Sequence, residues 1–83
     1  MRYRPIFSDS AVEFCTTLTR RRQRKLLDRA QELARDPFVV PGFTRTDEEG
    51  RTISHLLIDD FIFGYWPDHA TKMVMIVEIE DAS

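Results

Sequence analysis

Residues 61–80 read FIFGYWPDHATKMVMIVEIE, and this stretch decides the fold class. Its first six residues place Phe, Phe and Tyr on one face and Ile, Gly and Trp on the other, the period of two that predicts a β-strand. The turn signal PDHA follows at residues 67–70, and then the apolar run MVMIV at residues 73–77. Because every position of that run is apolar, it predicts a strand in a sheet covered on both faces.

Strands are also predicted on the N-terminal side of this stretch. Residues 43–46 and 51–58 flank DEEG at 47–50, a hairpin signal with glycine at the left-handed position. Asp59-Asp60 then forms a second turn before residue 61. Residues 3–7 are short and contain a proline, which predicts an edge strand.

Two helices are predicted between the first and second strands. In the first, Ser10 and Glu13 match the S-x-x-E capping box, and an apolar stripe at helical spacing follows, formed by Ala11, Phe14, Cys15 and Leu18. The second runs from Arg20 to Arg35, with Thr19 as N-cap and Asp36-Pro37 as its end. The order β-α-α-β-β-β-β predicts one α+β domain over residues 1–83, a helical hairpin packed on an antiparallel sheet.

Composition excludes several classes of protein and site. The chain has 83 residues, 42% apolar and 31% charged, as an ordinary globular domain has. A lone Cys15 excludes an intramolecular disulfide and a CxxC site, and His55 and His69 lie too far apart for a standard metal spacing, so we expect no metal or cofactor. Without an apolar run of about 18 residues or a signal-peptide core, we expect a cytoplasmic protein that does not contact the membrane.

The net charge of −2 conceals an asymmetry between the two halves of the chain. Residues 1–45 hold ten basic and five acidic residues, a net charge of +5. Residues 46–83 hold two basic and nine acidic residues, a net charge of −7. Such a dipolar chain indicates a charged partner.

The most unusual part of the basic half is the cluster that opens the second helix: Arg20, Arg21, Arg22, Arg24 and Lys25. The helix macrodipole disfavours cations there, by roughly 0.3–1 kcal/mol each at exposed sites. The functional interpretation is a binding surface for nucleic acid, the ribosome or an acidic protein. The alternative is a solvated helix face in which Asp28 and Glu32 neutralise the cations through i+3 and i+4 pairs.

Three side chains are candidates for acid–base or electrostatic chemistry: Arg51, His55 and His69. By alternation His55 shares a face with Ile53 and Leu57, so a packed histidine is the alternative to a general base. As a base it needs a carboxylate partner, and the nearest candidates in sequence are Asp60 and Asp68. Each of the other two has a structural alternative, Arg51 as a hairpin-closing cation and the Asp68-His69 pair as a turn in which Asp68 bonds backbone N–H groups.

Tyr65 and Trp66 are candidates for partner binding at the end of the same strand. Two helices can cover only one face of the sheet, whereas the last two strands are apolar on both faces. We therefore expect a partner protein or a second copy, as in a homodimer, to cover part of the other face.

From Phe7 to Ile79 the sequence resembles the RelE/ParE superfamily, the toxins of bacterial toxin–antitoxin pairs once called plasmid stabilization proteins. The residues that carry the resemblance lie in order along the chain: Phe7-Ser8, Ala11, Phe14, Leu18, Arg24 to Leu27, Leu33, Asp36-Pro37-Phe38, Pro41-Gly42, Gly50-Arg51, Phe61 to Trp66 and Val74 to Ile79. The resemblance implies a RelE/ParE-like fold and a small toxin that a cognate antitoxin, encoded beside it, holds inactive.

Two activities are known on this fold. RelE-like members cut messenger RNA in the ribosome with Arg or Lys on the middle strands and Tyr, His or Arg at the end of the last strand, whereas ParE-like members inhibit DNA gyrase. Arg51 falls near the first kind of position, but residues 78–83 read EIEDAS, and their carboxylates would repel the scissile phosphate.

We therefore expect a toxin that is ParE-like or catalytically degenerate and acts by binding. The enzyme alternative is a ribosome-dependent messenger-RNA endonuclease that uses Arg51, His55 and His69. The third alternative is a non-toxic orphan interaction module.

Overall fold

Seven elements follow one another in the computed structural model, which describes residues 2–83. In chain order they are β1 (Arg4–Phe7), α1 (Asp9–Thr16), α2 (Arg20–Arg35), β2 (Phe43–Thr46), β3 (Thr52–Ile58), β4 (Phe61–Asp68) and β5 (Met73–Asp81). The predicted α+β order β-α-α-β-β-β-β is confirmed. Among residues 2–83 no helix is long and apolar enough to cross a membrane.

The five strands form one sheet in the order β1-β5-β4-β3-β2. Strands β2 to β5 form the predicted antiparallel meander, whereas β1 joins the free edge of β5 in parallel. Alternation of apolar residues carries no information on strand direction, so the sequence did not indicate this mixed sheet. A β-bulge interrupts the pairing of β4 with β5, because Tyr65 pairs with Ile76 whereas Gly64 pairs with Glu78.

The helix ends follow the predicted chemistry with one correction. The hydroxyl of Ser8, not that of Ser10, caps α1 by accepting from the Ala11 N–H at 3.2 Å. The predicted capping box is therefore wrong, since the Ser10 hydroxyl donates to the Val77 carbonyl of β5 at 2.9 Å. Thr19 caps α2 as predicted, accepting from the Arg22 N–H at 3.3 Å, and the helix ends at Arg35 ahead of Pro37.

The core lies between the two helices and one face of the sheet. Its fully buried large side chains are Leu26 of α2 and, from β4 and β5, Phe61, Phe63, Tyr65, Val74 and Ile76. Cys15 is only partly buried at the margin of this core. The opposite side of the sheet, here the outer face, carries Ile53, His55 and Leu57 of β3, Ile62, Gly64 and Trp66 of β4, and Met75, Glu78 and Glu80 of β5. No helix covers the outer face within residues 2–83.

Candidate active site on the outer face

An open cleft of about 360 Å³ lies on the outer face. Strands β2 and β3 with the turn between them form one wall, and β5 forms the other. Its lining residues are Arg45, Thr46, Asp47, Ile53, His55, Val77 and Glu78. Among the sequence-predicted residues only His55 belongs to this lining.

His55 and Glu78 form the central interaction of the cleft. The Nε2–H of His55 donates to Oε1 of Glu78 at 2.6 Å, and the imidazole stacks on the Phe43 ring with a centroid separation of 4.6 Å. His55 is only 3% exposed, whereas nearly half of the Glu78 side chain reaches solvent. Because a carboxylate is acceptor-only, this bond fixes the neutral histidine in the Nε2–H tautomer. Because this bond occupies Nε2, the groups of the pair left to accept a proton are Nδ1 of His55 and the half-exposed Glu78 carboxylate.

The second imidazole nitrogen of His55, Nδ1, makes no hydrogen bond to the described residues. This nitrogen is also buried. In the Nε2–H tautomer this atom is a bare acceptor, which costs less when buried than an unpaired N–H donor would. The bond to Glu78 is therefore the single polar contact that holds the ring in place.

Gly64 allows the two side chains to meet across the strand that separates them. It lies on β4, paired with His55 on one side and Glu78 on the other. A Cβ at this position would lie 2.6 Å from Cγ of Glu78 and 3.0 Å from Nε2 of His55. Any side chain at position 64 would displace His55 and Glu78, so their hydrogen bond requires glycine at this position.

The predicted carboxylate partners of His55 are wrong. Asp60 instead accepts from the Lys25 ammonium at 3.1 Å, and Asp68 accepts from the backbone N–H of Ala70 at 3.1 Å as the structural alternative proposed. The true partner, Glu78, lies 23 positions away on a strand that is not adjacent to β3. Only the register around the bulge brings it opposite Gly64, and the lone glycine in an otherwise bulky strand was the one signal in the sequence.

Arg51 lies outside the cleft lining, on the same side of the molecule. Its guanidinium sits 4.2 Å from the centroid of the Trp66 ring. It also lies 3.9 Å from the Asp47 carboxylate and 3.7 Å from that of Glu49. These contacts match the predicted hairpin-closing interpretation, and they place Trp66 on the outer face, where a partner can reach it.

His69 and Tyr65 lie elsewhere. The Tyr3 hydroxyl is 2.5 Å from Nδ1 of His69, and the Phe38 ring stacks on the imidazole at 5.4 Å. Since Tyr3 packs against the core between helices and sheet, His69 shares no contact with His55 or Arg51. The predicted catalytic set is thus not assembled in one place.

Tyr65 is fully buried in the core, so its assignment to partner binding is wrong. Burial raises the pKa of its hydroxyl, with a further contribution from the Asp36 carboxylate. The alternation that places Trp66 on the outer face necessarily turns Tyr65 inward.

The basic cluster of α2 contains two cations that form ion pairs and three that form none with the described residues. Arg22 donates two bonds to the Asp81 carboxylate, at 2.9 and 3.0 Å, and Lys25 pairs with Asp60. The bonds from Arg22, followed by those from Ser83, lower the pKa of Asp81 well below its usual range, and the Asp81 bond raises the pKa of Arg22. The expected neutralisation by Asp28 and Glu32 is wrong for these residues, because the acids come from the sheet. Within the described chain the cluster members without an ion pair are Arg20, Arg21 and Arg24.

The side chains of residues 2–83 contain no group of three His, Cys, Asp or Glu that could hold a metal ion.

Comparison with known proteins gives the same fold. No protein-family model and no curated protein matches the sequence. A chain in the crystal structure of the toxin–antitoxin complex RelBE2 from Mycobacterium tuberculosis superposes with a TM-score of 0.82 at 20% identity, covering 100% of this chain and 95% of that one. A chain in the archaeal RelE–RelB complex from Pyrococcus horikoshii OT3 superposes with a TM-score of 0.72 at 15% identity, covering 100% and 98%. The protein therefore has the α+β fold of the chains in these two structures, which is the fold that the resemblance in its sequence predicted.

Proposed function

We propose that the protein is the toxin of a type II toxin–antitoxin pair, that it acts by binding its cellular target, and that a cognate antitoxin neutralises it. The two solved structures described above are toxin–antitoxin complexes, and each likeness covers the whole of this chain. The toxin is ParE-like, with DNA gyrase as its target, or it is a RelE-like protein whose catalytic set has degenerated.

The carboxylates at the end of β5 are the observation that favours target binding over cleavage of RNA. Glu78 holds His55, and Asp81 holds Arg22, so neither end of this segment presents a cation to a phosphate. The cleft lining contains one guanidinium, that of Arg45, beside the carboxylates of Asp47 and Glu78. A phosphodiester in the cleft would gain little of the charge stabilisation that phosphoryl chemistry requires.

The free cations of α2 are the proposed contact with the target. Arg20, Arg21 and Arg24 are exposed and unpaired within residues 2–83, whereas Arg22 and Lys25 are neutralised by the sheet. On the outer face, Trp66 and its apolar neighbours are the proposed contact with the antitoxin or with a second copy.

Controlled expression tests this proposal. Expression should arrest growth of a bacterial host, and co-expression of the small open reading frame beside the gene should relieve the arrest. Alanine substitution of Arg20, Arg21 and Arg24 together should abolish the arrest, whereas the matched substitution of Arg2, Arg4 and Arg35 should preserve it. Growth that continues during expression of the folded wild-type protein would contradict the toxin proposal and favour the orphan interaction module.

Two assays on the purified protein separate the targets. Inhibition of DNA supercoiling by gyrase, with messenger RNA left intact in a translation extract, is the expected result. A protein that arrests growth but leaves gyrase unaffected is not ParE-like.

The second candidate function is the ribosome-dependent messenger-RNA endonuclease, and the His55–Glu78 hydrogen bond is the observation that favours it. The half-exposed carboxylate of Glu78, which His55 orients and which lines the same cleft as Arg45, could accept the proton of an attacking 2′-hydroxyl. If this is the activity, Glu78→Gln should reduce cleavage by about 10²–10⁴-fold, whereas His69→Ala, which changes a residue outside the cleft, should leave it unchanged. Cleavage that survives Glu78→Gln excludes this mechanism.

A further inference from the structure

A notch interrupts the edge of the sheet where β2 ends. Strand β2 pairs only with residues Thr52 to His55 of β3, and beyond them β3 continues for three residues without a neighbour on that side. The notch spans about 10 Å of strand at roughly 3.3 Å per residue. The N–H of Gly42 donates to the His55 carbonyl at 2.8 Å and is the last bond that the β2 side makes to β3.

Leu57 lies at the centre of this notch with its backbone groups free. Ile58 pairs with Phe61 across a two-residue turn, so Leu56 and Ile58 direct their N–H and C=O groups towards β4. The N–H and C=O of Leu57 therefore point towards the notch, where no group of residues 2–83 forms a hydrogen bond with them. An open strand edge of this kind is a template for another strand.

Strand β3 at the notch and the segment leading into β2 expose large apolar side chains. Leu57 is 60% exposed and Val40 is 83% exposed, and Val39 and Phe43 are also exposed large apolar side chains. On the helix side of β3 a cleft of about 210 Å³ adds Leu33, Leu56 and Ile58 to the lining. Apolar side chains thus flank the free backbone on both faces of the sheet, as an inserted strand would require.

The charge of the helix-side cleft indicates which kind of strand would bind in the notch. The same helix-side cleft contains two carboxylates, Glu32 and Asp36, and no cation. Glu32 is bonded to Arg29 at 3.1 Å, whereas Asp36 makes no ion pair within the described residues. The opposite edge of the sheet, β1, has Pro5 at its centre and so lacks an N–H there.

We propose that the notch is a docking site for an extended segment of a partner protein in which apolar residues alternate with lysine or arginine. The segment pairs with Leu57 in line with β2, its apolar side chains cover Leu57 and Val40, and its cations face Asp36. The proposal is independent of the toxin assignment, because it concerns peptide binding and makes no use of growth arrest.

Two fluorescein-labelled peptides test it on the full chain, one alternating valine with lysine and the other alternating valine with glutamate. The lysine peptide should bind at least roughly tenfold more tightly, a difference of about 1.4 kcal/mol, and its binding should slow hydrogen exchange of the Leu57 amide. Asp36→Lys should remove this preference. Glu48→Lys, which makes the same change of charge at the far end of β2, should preserve it.

A second pair of variants separates the apolar contribution from charge. Leu57→Lys should weaken binding of the lysine peptide, whereas Leu27→Lys, on an exposed position of α2, should not. Equal affinity for the two peptides, protection of the β1 amides in place of Leu57, or equal effects of Asp36→Lys and Glu48→Lys would each overturn the proposal.

Discussion

His55 and Glu78 are joined by a 2.6 Å hydrogen bond across a strand to which neither belongs. The bond is possible because Gly64 of the intervening strand has no side chain. A buried imidazole is thereby oriented by a half-exposed carboxylate in the outer-face cleft, and the three residues form one structural unit.

The first prediction concerns Gly64. Gly64→Ala should destabilise the protein by about 1–3 kcal/mol, the usual cost of overpacking, because the added methyl group would overlap both members of the pair. Urea unfolding measures the change. Gly42→Ala is the matched control, since its Cβ would lie 3.4 Å from the nearest atom, the His55 carbonyl oxygen. Equal stabilities of the two variants would show that the pair can move aside freely.

The second prediction concerns Glu78. Glu78→Ala should cost about 1–3 kcal/mol, because it leaves the buried Nε2–H of His55 without an acceptor. Glu80→Ala on the same strand removes a carboxylate with no hydrogen bond among the described residues and should change stability by less than about 0.5 kcal/mol. If both substitutions have the same small effect, His55 finds another partner or a water molecule.

The third prediction is a pH dependence that comes from Asp81. The pKa of this carboxyl is lowered by its bonds to Arg22 and then to Ser83. A lowered pKa in the folded state contributes stability above the ordinary value of 3.8, and that contribution is lost as the pH falls below it. Asp81→Asn should therefore be less stable than wild type at pH 7, and the difference should narrow as the solution is acidified below that value.

Chemical denaturation of both proteins over a pH series measures this difference. Glu80→Gln serves as the control, because it removes one acidic charge from the same strand end without breaking the contact to Arg22. A difference that stays constant down to pH 3 would assign the loss to packing instead of to ionisation.

The fourth prediction uses Trp66, the one tryptophan in the sequence. The guanidinium of Arg51 lies over its ring, so Arg51→Ala should alter the wavelength or intensity of tryptophan emission in the folded protein. Stability should fall by about 0.5–1 kcal/mol, the range for an exposed cation–π contact. Arg45→Ala, which removes a cation placed over Phe43, should leave the emission unchanged. An unchanged spectrum in Arg51→Ala would mean that the contact is not populated in solution.

Local patterns were sufficient for most of the fold. The alternation in residues 61–66 correctly separated the buried Phe61, Phe63 and Tyr65 from Ile62 and Trp66, and Thr19 and Pro37 correctly bounded the second helix. These predictions succeeded because burial on one face, capping and proline geometry depend on residues close together in the chain. The same alternation should have excluded Tyr65 from partner binding, since it assigns this residue to the helix-covered face.

The candidate site could be predicted only in part, because its contacts join strands distant in sequence. His55 was identified by its residue type, but its partner depends on the order of three strands and on a bulge that shifts β5 by one residue against β4. The free and held arginines of α2 could not be separated for the same reason. The acids that neutralise Arg22 and Lys25, Asp81 and Asp60, lie 59 and 35 positions away.

The sequence by itself determined the elements, their order, the buried face of each strand and the split between a basic and an acidic half. Tertiary structure decided how that split is used: part of the acidic half neutralises α2, and Glu78 orients His55. The physical reason is the separation along the chain over which each kind of interaction acts. Backbone propensity and side-chain periodicity act within a few residues, whereas ion pairs and hydrogen bonds form between whatever groups the sheet register brings together within about 3 Å.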